Sequence, residues 1–175
     1  RNPSVQKFVD NVNVYVFEHA QTDSLESLID SYNKYITNST SSKQTIDKCR
    51  MLFVQKVRVF LGKCGEKESI KYSISLYENL YRGKELAECD RDMLKLLSDT
   101  IYDDDQKDIA FVDKHLAKIP FDTIMAFLSA CQSVGLTVPQ RALLIYEGFL
   151  FERATEKDGK ISKRQVQQRF EDNRF

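Results

Sequence analysis

The chain has 175 residues, enough for one domain that hides most of the surface its unfolded state exposes. Its 26 basic residues balance 26 acidic ones, which disfavours a nucleic-acid binder driven by phosphate neutralisation and gives no support for an anionic membrane partner. Three prolines and six glycines are too few for the many tight turns of a sandwich or barrel, so a mainly helical chain is expected.

Taken in order, residues 3–20 carry Val5, Phe8, Val9, Val12, Val16 and Ala20 at spacings of three and four, the stripe of a helix. The alternation from Val12 to Val16 also fits a short strand, but no partner strand is evident, so helix is preferred. Thr22 or Asp23 is placed to cap a second helix running through Tyr35, with Leu25, Leu28, Ile29, Tyr32 and Ile36 on one face. The polar run Asn38-Ser39-Thr40-Ser41-Ser42 reads as a loop, and residues 38–43 as a flexible joint. A strongly apolar third helix follows over 44–62, with Gly65 as its terminator. A fourth spans 67–82 and stops at Gly83, and a fifth spans 85–102.

The acidic run Asp103-Asp104-Asp105 suits the start of a sixth helix over 106–118, because carboxylates favour the positive end of the helix dipole. Phe121 to Ser133 gives a seventh, ended by Gly135. Pro139 sits at the first turn of an eighth that runs to about Thr155, and a polar ninth covers 161–172. The expected fold is therefore all-α: about nine helices in stacked antiparallel hairpins, as an irregular bundle or short superhelix, in one domain over 1–175. A start at Arg1 rather than methionine reads as an excised or processed piece of a longer protein.

An apolar pattern recurs at a 35-residue offset. Ile74, Leu76, Leu80 and Tyr81 are followed by Ile109, Phe111, His115 and Leu116, then by Leu144, Tyr146, Leu150 and Phe151. Stacked helical hairpins produce periods of this size. Phe60 to Gly65 leads into Tyr72–Tyr81, and Phe127 to Gly135 leads into Arg141–Leu150, each with an aromatic-acid step, Tyr77-Glu78 and Tyr146-Glu147. These hairpins resemble those of tetratricopeptide and pentatricopeptide repeat proteins over about residues 46–155. The resemblance implies an extended binding surface. In its pentatricopeptide form it implies RNA recognition, usually in organelles, with base-reading positions near Asp122 and Thr123. Phe17-Glu18-His19-Ala20, with the helix after it, is also similar to the helix pair that follows a BTB domain. Residues 108–154, with Ile119-Pro120 and Leu136 to Pro139, resemble a BACK segment, which would imply a ubiquitin-ligase adaptor.

Chemistry-bearing residues are sparse. Glu156, Asp158, Gly159, Ile161 and Ser162 fall on the positions of an EF-hand loop, but Ala154 and Gln165 stand where the first aspartate and closing glutamate belong. The segment resembles a degenerate hand; a surface turn is preferred. His19 and His115 lack a ligand partner at helical spacing. The four cysteines, Cys49, Cys64, Cys89 and Cys131, show no C-x-x-C pair and are expected as free thiols. Asn38-Ser39-Thr40 is a chance-prone glycosylation sequon. The basic residues between Lys157 and Arg174 interleave with acids and read as a solvated face.

With no phosphate loop, nucleophile elbow or metal set, the chain reads as a non-catalytic helical protein–protein interaction module, a scaffold or adaptor segment with no cofactor and no membrane span. It is expected to be intracellular, in the cytoplasm or an organelle. The alternatives are an RNA-binding helical repeat and a calcium-responsive module. Tyr72, Tyr77, Tyr81 and Tyr146 are the candidate partner anchors, since tyrosine is enriched at binding hot spots.

Overall fold

The structure, a computed structural model, describes residues 2–102, 119–139 and 142. Among them it holds six α-helices, one π-helical turn and one 3₁₀ turn, and no strand. The helices are α1 (Pro3–His19), α2 (Leu25–Tyr32), α3 (Lys43–Gly62), α4 (Glu66–Leu80), α5 (Arg91–Ile101) and α6 (Phe121–Ser133). The expected sixth and ninth helices, most of the eighth, and the second and third members of the 35-residue pattern lie outside the described residues, as do His115, Asp103 to Asp105 and the basic residues from Lys157 on.

Local chemistry accounts for most boundaries. The Asn2 side chain accepts the Ser4 N–H at 2.9 Å, and Pro3 fills a first-turn position that needs no donor. Val12 to Val16 is helical throughout, so the strand alternative falls away. At α2 the cap is Ser24, one or two residues later than expected. Its hydroxyl accepts the Ser27 N–H at 3.1 Å, while Ser27 Oγ accepts the Ser24 N–H at 3.0 Å, a reciprocal capping box. The chain then widens into the π turn Asn33–Thr37, closed by Asn38 N–H on Asn33 O at 2.8 Å. Gly83 (φ +74°) and Gly135 (φ +85°) sit in the left-handed region that stops the preceding helices. Gly65 does not belong with them. It has φ −70° and is the N-cap of α4, while α3 ends at Gly62 as expected, with Lys63 as its C-cap. The fifth helix also begins later than residue 85, since Glu88–Asp90 forms a 3₁₀ turn ahead of α5.

The core lies between α3, α4 and α5. α3 touches α1, α2, α4 and α5, and α6 packs on α5. Phe53, Val57, Ile70, Leu76, Leu94 and Leu97 are buried there. Tyr77 meets Phe127 edge-on at 5.2 Å and carries the packing through to α6. Beside this apolar mass sits one charged group. Asp90 is buried; its Oδ1 accepts from Arg50 Nη1 at 2.6 Å and its Oδ2 accepts the Ala87 N–H at 2.8 Å. Tyr32 lies next to this pair and meets Tyr81 edge-on at 5.7 Å. Burial works against the Arg50 cation, but Asp90, Tyr32 and Cys89 together outweigh it, so the guanidinium is held above its ordinary value.

The polar loop expected as a flexible joint is tied down. Gln6, Asp10 and Asn13, all on α1, bond to Thr40, Ser41 and Ser42. Ser42 caps α3 through Thr45 and also donates to Asp10 at 2.8 Å. The segment therefore clamps α1 to the start of α3.

Candidate interaction surface

α1 is mounted inside out. On a helical wheel Gln6, Asp10, Asn13, Val14 and Phe17 share the face turned toward α3. Three of those five are polar, and they make the hydrogen bonds to residues 40–42. Among the described residues, the α1 side chains that join the apolar core are Val14 and Phe17. Phe17 is fully buried and lies against the rings of Tyr35 (5.0 Å) and Phe53 (6.5 Å), with Lys56 Nζ 5.3 Å above its own ring. Lys56 also donates to the Glu18 and Ala20 carbonyls at 3.3 and 3.1 Å, closing the end of α1.

The opposite face holds the valines and aromatics. Val5, Phe8, Val12, Tyr15 and Val16 are 51, 68, 42, 63 and 41% exposed. They form a stripe about 100° wide, the width a helix ordinarily turns toward a core. His19 extends it by one position: its Nδ1 lies 2.8 Å from the Tyr15 carbonyl and its ring 4.3 Å from the Tyr15 ring. The stripe is flanked by uncharged Ser4 and Asn11 on one edge and by half-buried Val9 and Ala20 on the other. Spacing alone reveals the stripe, but not which way it faces. The signal lay in Asp10 and Phe17, which fall on the side opposite the valines; a helix with two apolar edges has to leave one of them outside.

Two hollows open elsewhere on the body, and no residue of the stripe lines either. One, of about 720 Å³, runs between α3 and α5 over a floor that includes Leu52 and Leu96. Lys48 and Arg58 stand on the α3 side and Asp92 on the other, where Lys95 and Asp99 pair at 3.0 Å. The other, of about 670 Å³, is lined by Gln21, Lys56, Val59, Phe60 and Tyr72.

The candidate anchors separate clearly. Tyr72 is half-buried, meets the Phe60 ring at a tilt at 5.2 Å and borders the second hollow, so it is within reach of a partner. Tyr77 and Tyr81 are 3 and 4% exposed. Both belong to the core, since Tyr77 lies on the face of α4 packed against Phe127 and Tyr81, its C-cap, is buried against Tyr32, and neither is an anchor. Tyr146 and the loop residues Glu156, Asp158 and Ser162 lie outside the described residues. Of the two positions implied for base reading, Asp122 is exposed, whereas Thr123 is buried and its hydroxyl accepts from Arg82 at 3.2 Å. His19 is exposed and bonded within its own helix. Among the described residues no three His, Cys, Asp or Glu side chains gather as a metal-binding group, and no helix is long and apolar enough to cross a membrane. None of the four cysteines is disulfide-bonded; Cys49 and Cys131 are buried, and burial pushes the Cys131 thiol up to about 12.

Comparison with protein-family models, with curated proteins and with solved structures finds no match to this chain.

Proposed function

We propose that the chain is a non-catalytic helical module that binds another polypeptide through the outward face of α1. The observation that carries this reading is the inversion of α1: polar residues hold it to the body, and Val5, Phe8, Val12, Tyr15 and Val16 face solvent. Large apolar side chains that line up rather than scatter mark contact surfaces. The uncharged edges of the stripe favour a partner recognised by apolar shape, as in the packing of one helix on another. A membrane surface is the poorer fit, because interfacial helices carry lysine and arginine on their polar face. Here that face is turned to α3, and Lys7 is the only lysine or arginine between Pro3 and His19. Tyr72, at the edge of the second hollow, offers a further contact.

Site-specific photocrosslinking in cells tests the proposal. A benzophenone side chain at position 8 or 15 is expected to trap a discrete protein product, and one at exposed Lys71 on α4 to trap none. Crosslinks to RNA, or equal yields from all three positions, would overturn it.

A further inference from the structure

We infer that the hollow between α3 and α5 is a second polypeptide site, and that its occupant is an amphipathic helix of another protein with acidic residues along the edge it turns to α3. The inference goes beyond the α1 reading and does not rest on it, since no residue of the α1 stripe lines this hollow.

Shape sets the class of ligand. Cys89 Sγ lies 3.7 Å from Asp47 and Asp90 meets Arg50, so α5 begins beside the first half of α3. Both helices then border the hollow, α3 from Lys48 to Arg58, about 15 Å, and α5 from Asp92 to Asp99, about 10 Å. The lining includes half-buried Leu52 and Leu96 and buried Val54, with Met51 66% exposed at the lip. Every charged residue along it is exposed, so it is an open trough and not an enclosed cavity. A small ligand needs a site that buries most of its surface. An open apolar trough of this length suits the apolar face of a helix, laid down at i, i+3 or i+4, and i+7. An unbranched methionine at the lip adapts to such side chains.

Charge selects the helix. Among the described residues the ion pairs are Arg50–Asp90, Arg82–Glu78 and Lys95–Asp99. Lys95 and Asp99 therefore satisfy each other, while Lys48 and Arg58 on the α3 side line the trough without an acid, and Asp92 without a base. Lys48 and Arg58 are about 80° apart round α3, so a helix that meets both crosses α3 obliquely, as packed helices ordinarily do. Two positions eleven apart share one edge of a helix and lie about 16 Å apart, which matches the two cations. Acids there pair with Lys48 and Arg58, and a base on the opposite edge reaches Asp92. A helix with cations on both edges is repelled at two points instead.

A phage-displayed library of 16-residue helical peptides, panned on the full chain carrying Phe8→Glu, tests the inference. That substitution takes the α1 stripe out of the selection, so this result bears on the trough alone and the photocrosslinking from positions 8 and 15 bears on α1 alone. The enriched peptides are expected to carry acids along one edge of an apolar face. Met51→Glu is expected to weaken their binding about tenfold, and Lys48→Glu with Arg58→Glu to do the same. Replacing the peptide acids with lysine is expected to restore binding to the doubly reversed chain, which also shows that this chain is folded. No enrichment, enriched peptides with basic or uncharged edges, indifference to Met51→Glu, or no recovery in the charge swap would each overturn the inference.

Discussion

Arg50 on α3 and Asp90 ahead of α5 lie 40 positions apart in sequence and meet at 2.6 Å, with the Asp90 side chain 5% exposed. The same carboxylate holds the Ala87 N–H, so one acidic group joins α3 to the turn that launches α5.

Removing one partner of such a pair strands a buried charge, which costs far more than the pair contributes. Asp90→Ala is expected to destabilise the chain by about 3 kcal/mol, and Arg50→Met with Asp90→Leu to stay within about 1 kcal/mol of wild type. Urea unfolding midpoints of the three proteins check this. Equal losses in the single and double variants would mean that the pair does not act as a unit.

Acid is expected to loosen the attachment of α1. Burial works against the Asp10 carboxylate, but hydrogen bonds from Ser42, Gln6 and Thr45 outweigh it and hold its pKa below the ordinary 3.8. The unfolded chain therefore takes up the proton first as pH falls. The stability that Asp10 contributes is present above its ordinary value and is lost as pH drops through the lowered folded one. Thermal midpoints recorded from about pH 5 to about pH 3 should fall more steeply for wild type than for Asp10→Asn.

Thiol reactivity should follow burial. Cys131 keeps its proton in the fold up to about 12, and burial also raises Cys49. Thiolate is the reacting form, so neither is expected to be alkylated at about pH 8 until the chain unfolds, while the half-buried Cys64 and Cys89 react first. Peptide mass spectrometry after iodoacetamide treatment reads the order. Early modification of Cys131 would contradict the packing around it.

Much of the helical framework was legible from punctuation. Gly83, Gly135 and the stripe from Ile46 to Leu61 are local signals, and α1, α3, α4 and α6 fall within a residue or two of their expected bounds. Other features depend on partners distant in sequence. Asp90 terminates a 3₁₀ turn because Arg50 meets it there, and nothing between Glu85 and Asp90 announces that delay. Ser41 and Ser42 look like loop residues until Asp10 and Asn13 bond to them. Tyr77 and Tyr81 suited a contact surface by type alone, whereas their burial comes from Phe127 and Tyr32. The candidate surface was half legible: the valines of α1 formed a stripe in the sequence, but its outward direction came from the polar clamp on the other face.

The most direct check on that surface is the stability of a Phe8→Glu, Tyr15→Glu variant, measured by urea unfolding at submicromolar chain concentration. Both side chains are more than 60% exposed, and substitutions at such positions ordinarily shift stability by no more than about 0.5 kcal/mol each. An unfolding free energy within about 1 kcal/mol of wild type is the predicted result, because the stripe is free for a partner and does not hold the fold together. A loss of about 3 kcal/mol or more would contradict the account, since the stripe would then be packed within the chain itself.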